Sequence, residues 1–356
     1  MSADDVIIVG AGLAGAAAAA ALSPHYRIRV LEAETPAAGA SGAAAGLVNP
    51  FMGRRARPVW RLHEALDALV HLLDAADASS VFPQQGVLRP VVEAEQAAPF
   101  RTAAKEHPSL AAWLPAATVR NRFPDVETDV GALYVDRGGA IDVSAMVEAL
   151  LSAARARGAV VETDAPVVYW RETPSDAAVE VARGPETEDL HADRVLLALG
   201  QGYPRFPELR RLDLEGVKGQ TVRVARPPAV RGPLLPLSGR GYVVPDGDHL
   251  ILGSNYDNNF DDLRPDPDAT AYIREKTARM VPGLETAPVA DVQAGVRVKH
   301  RPTNRPIVGP LPDRTRIWTL TALGSKGLLT APLLARALPD YFHDPTTIPD
   351  DVRTPT

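Results

Sequence analysis

The chain has no cysteine in its 356 residues. That excludes disulfides, thiolate metal sites and a flavin attached through cysteine sulfur, and it fits a reducing compartment. Positive charge is in deficit: the net charge is −6, which argues against a chain that coats nucleic acid while leaving room for a local basic patch. The apolar stretch 6–22 lacks the basic flank of a signal peptide, because Asp4 and Asp5 precede it. Glycines at 10, 12 and 15 interrupt it, so the expectation is a soluble, cytoplasmic protein with no membrane partner. No internal repeat is present, and only the last dozen residues are low in complexity. No metal-ligand cluster and no Ser/His/Asp arrangement stands out among the eight histidines. Residues 324–327 read Gly-Ser-Lys-Gly, without the Gly-Lys-Ser/Thr ending of a triphosphate-binding loop. What is there is ordinary in bulk: 46% hydrophobic and 23% charged residues, enough for a large core in one or two domains.

The N-terminus is informative. Val6–Ile7–Ile8–Val9 is a β-branched run that ends at Gly10, as a buried parallel strand would. Gly10, Gly12 and Gly15 form G-x-G-x-x-G, an alanine-rich helix follows, and residues 27–33 predict a second strand ending near Glu32. Glu32 stands 22 residues after Gly10. In this spacing Gly10 makes the tight turn and Gly12 admits a pyrophosphate close to the backbone. Gly15 lets helix and strand pack, the helix N-terminus faces the anion, and Glu32 accepts a ribose hydroxyl. An acid at 32 disfavours a 2′-phosphate, so FAD and NAD remain and NADP does not.

Residues 34–50, ETPAAGASGAAAGLVNP, continue with a small-residue loop where an NAD enzyme would usually continue with another helix and strand. This resembles the FAD-dependent D-amino-acid oxidase superfamily, which contains glycine oxidase and sarcosine oxidase; taken alone, the segment also reads as a flexible linker. Further pieces match in order: DRGGAID at 136–142 with GAVVE, ADRVLLALGQG at 192–202, VKGQTVRV at 217–224, the 241–256 hairpin and GVRVKHRPTNRPIVGP at 295–310. ALGSKGLLTAPL at 322–333 is most similar to one branch, the FAD domain of the bifunctional tRNA 5-methylaminomethyl-2-thiouridine biosynthesis protein. Within these 356 residues no counterpart of that protein's methyltransferase domain is expected.

The resemblance implies non-covalent FAD held by Gly10, Gly12, Leu13, Ala14, Gly15, Glu32 and Ala33, and by Ala40, Ser41, Gly46 and Leu47 of the small-residue loop. Val167 on the adenine side, Ala198 and Gly200, and the final loop Gly324, Ser325, Lys326, Gly327 and Leu328 complete the set. It also implies the chemistry: hydride transfer to flavin N5 from a carbon bearing an amine next to a carboxylate, followed by imine hydrolysis, with O2 as electron acceptor. Arg297 matches the family's carboxylate-binding arginine, although Val298 replaces the usual proline after it. Tyr242 and Tyr256 occupy hairpin positions that line the pocket in relatives; aromatic packing is the alternative. Lys326 places a cation beside reduced flavin, or is a solvated loop lysine. His300 is expected at the rim.

The implied fold class is α/β: a Rossmann-like FAD-binding domain with an interleaved antiparallel-sheet substrate domain. The expected division gives 1–80, 136–214 and 290–356 to the first and 81–135 and 215–289 to the second. Three functions stay open: demodification of carboxymethylaminomethyluridine in tRNA, oxidation of a small amino acid such as glycine, sarcosine or a D-amino acid, and non-catalytic flavin binding. Arg54, Arg55, Arg57 and Arg61 would suit a tRNA backbone, or are ordinary solvated charges.

Overall fold

In a computed structural model, residues 4–355 are described. The glycine-rich turn sits where sequence spacing puts it, between the strand Asp4–Val9 and the helix Leu13–Leu22. The parallel run of the first sheet is ordered Val160–Glu162, Ile28–Leu31, Asp4–Val9, Glu186–Leu197 and Ile317–Thr321. Antiparallel strands flank it: the hairpin Val167–Glu172 and Ala177–Arg183, and the strand Ile307–Pro310. Val6, Ile7, Ile8, Val195, Leu196 and Leu197 are all buried, as strands covered on both faces require.

One face of this sheet is covered by helices. Leu13–Leu22 is nearly all alanine and is buried almost all round. Its small side chains let the helices Val143–Ala156 and Gly327–His343 pack closely against it. The other face carries the hairpin, with Trp170, Val179 and Val181 in a separate core. Each Val or Leu so buried contributes about 1.5–3 kcal/mol.

The second sheet also has eight strands, in the order Val289–His300, Leu214–Ala225, His249–Gly253, Gly241–Asp246, Leu237–Gly239, Val87–Pro90, Gly131–Val135 and Ala111–Pro115. It is antiparallel except at the step between Leu237–Gly239 and Val87–Pro90. The two-residue turn at 247–248, with Gly247 at φ +57°, closes the predicted hairpin. The strand Val289–His300 pairs with Leu214–Ala225 along its length. Residues 290–300, grouped by sequence with the nucleotide-binding segments, are therefore hydrogen-bonded into the second sheet. The helix Pro267–Ala278 packs on this sheet through Ile273. Among the described residues no helix is long and apolar enough to cross a membrane.

Candidate active site

A cavity of about 770 Å³ is lined from both sheets. At its nucleotide end the glycines act as space. Gly10 has φ +105°, and a β-carbon there would stand 2.5 Å from the Ala198 carbonyl oxygen. A β-carbon on Gly15 would be 1.8 Å from the Gly10 carbonyl oxygen, so this glycine holds helix against strand. Gly15 is also the one sequence-named cofactor residue that does not reach the cavity; the other eighteen line it. Ala33, Ala40, Gly46, Leu47 and Val167 are on that wall, with Gly200 near Ala198 and Leu328 beyond the final loop.

The helix Leu13–Leu22 starts at Gly12 with no acidic residue in its first turn. Its N–H groups and dipole therefore favour an anion at that end of the cavity. The Ser41 hydroxyl accepts the Leu13 N–H at 2.9 Å, tying the small-residue loop to the helix start. Glu32 accepts the Ala11 N–H at 2.6 Å and the Glu34 N–H at 3.1 Å. A carboxylate offers about four acceptor sites, so Glu32 both braces the glycine turn and keeps capacity for a hydroxyl. A bare glycine wall, a helix N-terminus and a braced acid on one cavity fit the pyrophosphate and ribose of FAD.

At the other end, the Val298 carbonyl accepts the Gly324 N–H at 2.8 Å, which joins the strand carrying Arg297 to the final loop. Lys326 is the N-cap residue of the helix Gly327–His343 and lines the cavity. Its ammonium donates to the Asn304 carbonyl at 3.0 Å; burial first and Arg305 second lower its pKa.

Arg297 lies across Gly219 of the neighbouring strand, where a β-carbon would be 2.2 Å from its Nη2. Nη1 donates to the Ser254 hydroxyl at 3.2 Å and Nη2 to the Asn255 carbonyl at 2.9 Å. The guanidinium carbon is 4.3 Å from the centre of the Tyr256 ring. No carboxylate pairs with it among the described residues. Tyr242 fills the space above Gly253, its cross-strand partner. Desolvation pushes its phenol up to about 12, against the opposing pull of Arg297 and Ser254. It is a neutral hydrogen-bond donor at any physiological pH. Tyr256 is 69% exposed and stands at the mouth.

Two sequence expectations change. His300 is buried, with its Nδ1 2.8 Å from the Thr303 hydroxyl, and it does not line the cavity. It is the last residue of its strand, and its ring turns to Thr303 of the turn that follows. The arginine run disperses. Arg54 lines the cavity and is 3.5 Å from Glu93, whereas Arg61 pairs with Glu64 beside Trp60.

Two buried cations on the cavity wall were not singled out in the sequence. Arg89 is 1% exposed and donates to the carbonyls of Phe51, Gly53 and Ser238. Burial lowers it to about 9, still charged at neutral pH. It fastens the 51–53 segment to the second sheet. Lys276 is buried in the Pro267–Ala278 helix. A legible signal existed: Ala269, Ile273, Lys276 and Met280 continue one helical stripe, and a lysine interrupts it.

A profile of the family described as FAD dependent oxidoreductase (DAO) matches residues 5–340. The bifunctional protein MnmC of tRNA 5-methylaminomethyl-2-thiouridine biosynthesis from Polaromonas naphthalenivorans is 29% identical over 95% of this chain and 56% of its own. The Idiomarina loihiensis protein of the same name is 27% identical over 94% and 55%. The chain thus spans little more than half the length of these relatives. Among solved structures, glycine oxidase from Geobacillus kaustophilus superposes with a TM-score of 0.83 at 21% identity, covering 96% of this chain and 95% of that one. Iminodiacetate oxidase from Chelativorans sp. BNC1 gives 0.80 at 20% identity, covering 99% and 100%.

Proposed function

The chain belongs to the DAO family of FAD-dependent oxidoreductases, and from that premise we propose that it oxidises the carbon–nitrogen bond of an amine carrying an N-CH2-carboxylate unit. One observation carries this: the Arg297 guanidinium lines the cavity, held by a hydroxyl and a carbonyl and matched by no carboxylate among the described residues. A planar fork of donors suits a carboxylate's two oxygens. Bound non-covalently, FAD supplies the hydride acceptor. Arg297 fixes the substrate carboxylate and so orients the adjacent carbon. Tyr242, kept protonated, donates to the substrate, and Tyr256 covers the guanidinium at the mouth. Glu32 and the N-termini of the two helices hold the cofactor's ribose, pyrophosphate and flavin ends, with Lys326 adding positive charge at the last. The imine formed would be hydrolysed by water, and the reduced cofactor would pass its electrons to O2.

The sheets support a division into a nucleotide-binding unit and a substrate unit, with the 289–300 strand spanning the border. The MnmC relatives favour an amine borne on a wobble uridine of tRNA. A free small amine is the second reading, favoured by the aspartates at 257, 261, 262, 266 and 268, which follow Tyr256 at the mouth and would repel phosphates. Arg297→Ala tests the shared core. Flavin reduction by substrate should weaken by about 2–5 kcal/mol in transition-state or binding terms, with FAD still bound; unchanged reduction kinetics would remove Arg297 from the site.

A further inference from the structure

Lys276 has no role in the reading above, yet it is a buried cation on the cavity wall. It is 8% exposed and lines the same cavity as Arg297. Its ammonium donates to the Ser254 carbonyl and lies 4.7 Å from the centre of the Tyr272 ring. The charges facing it from the second sheet are cations, Arg240 and Arg297. Arg240 is matched by Glu93 at 2.7 Å. Asp266 and Asp268, at the start of the lysine's own helix, share a smaller pocket with it, and Asp266 caps the helix by accepting the Asp268 N–H at 2.9 Å; neither carboxylate is paired with the ammonium. Among the described residues no carboxylate pairs with Lys276 and none with Arg297. The two cations meet on one residue, Lys276 at the Ser254 carbonyl and Arg297 at the Ser254 hydroxyl.

We infer that Lys276 is a second anion seat, and that the amine oxidised here carries a second acidic group besides the carboxylate taken by Arg297, as an aminodicarboxylate does. The inference rests on Arg297 being the first seat. Two unmatched cations in a desolvated site repel each other, and removing charge from water is costly unless a counter-charge arrives. A dianion relieves both; a monoanion leaves one unmatched. Burial, then Arg240 and Arg297, bring Lys276 down to about 8, so near neutrality it is mainly an ammonium. An anion beside it raises that value again. Binding near pH 8 therefore takes up protons at Lys276.

The probes are diglycolate, a dicarboxylate with an ether oxygen in place of the amine, and methoxyacetate, its monocarboxylate counterpart. Their Kd values for the FAD-loaded protein are read from the flavin spectrum and by calorimetry. The wild type should prefer diglycolate by about tenfold or more. Lys276→Gln keeps a donor to Ser254 but no charge; it should reduce that preference to about twofold and leave methoxyacetate unchanged. In calorimetry at pH 8 with buffers of different ionisation enthalpy, wild-type diglycolate binding should take up about half a proton. This measurement needs no variant. An unchanged preference in Lys276→Gln, an equal loss for methoxyacetate (both cations on one carboxylate) or the absence of proton uptake overturns the inference. Arg297→Ala separates the two layers: if neither probe is weakened, the first seat itself fails, whatever Lys276 does.

Discussion

Single residues set the substrate end of the cavity, and several act by what they leave out. Gly219 was not singled out within VKGQTVRV; in three dimensions it is the floor beneath Arg297. Its backbone is unstrained there, so Gly219→Ala should fold. The added methyl must push the guanidinium aside, since the clash is with the end of a flexible side chain. Carboxylate ligands should then bind more weakly by about tenfold or more, with FAD content unchanged; Kd values from flavin difference spectra check this, and wild-type affinity would show that Arg297 does not need that position. Lys326 makes the opposite kind of case. The motif placed it at the cavity, and it is there, but its ammonium rests on the Asn304 carbonyl. Lys326→Met should lower the flavin midpoint potential, because a cation near the reduced cofactor stabilises its negative charge. Spectroelectrochemistry with a potential equal to wild type would leave Lys326 as a helix-start residue only.

Elements were more legible than residues wherever local chemistry and fold agree. The strand Asp4–Val9, the alanine-rich helix and the hairpin at 241–253 follow from composition and turn residues, and the helix that starts at Gly327 from the family resemblance. What the chain did not reveal locally is pairing. The strand Val289–His300 looks the same in sequence whichever sheet it joins, and its hydrogen bonds to Leu214–Ala225 decide its place. His300 was misplaced because it ends the strand, where its ring turns to Thr303 and away from the cavity. Lys276 was passed over because a charged residue in a helix reads as solvent-facing until the stripe around it is counted. The first helix and the glycine turn are in close backbone contact. Gly15→Ala would drive a methyl into the Gly10 carbonyl, which is backbone and cannot step aside. The cost should be about 1–3 kcal/mol or more, concentrated at the cofactor site. Wild-type protein precipitated with acid should release all its FAD to the supernatant, whereas Gly15→Ala should purify with little; full FAD in the variant would contradict this account of the turn.

At the scale of the whole molecule, the two sheets enclose one cavity with a cofactor end and a substrate end, and the charge pattern divides its surroundings. Cations line the substrate end, while aspartates follow Tyr256 at its mouth. A tRNA held through phosphates would show activity that falls steeply as salt rises, and a small dianion would show a weaker dependence. The most direct measurement is anaerobic reduction of the bound flavin by a panel of amines. The panel is glycine, sarcosine, iminodiacetate and tRNA bearing carboxymethylaminomethyluridine, each tested against wild type and Arg297→Ala. The account predicts that at least one N-CH2-carboxylate amine bleaches the wild-type flavin within a turnover, and that Arg297→Ala bleaches far more slowly with the same amine. A wild-type flavin that dithionite reduces but no member of the panel does, or equal rates in the variant, would contradict it.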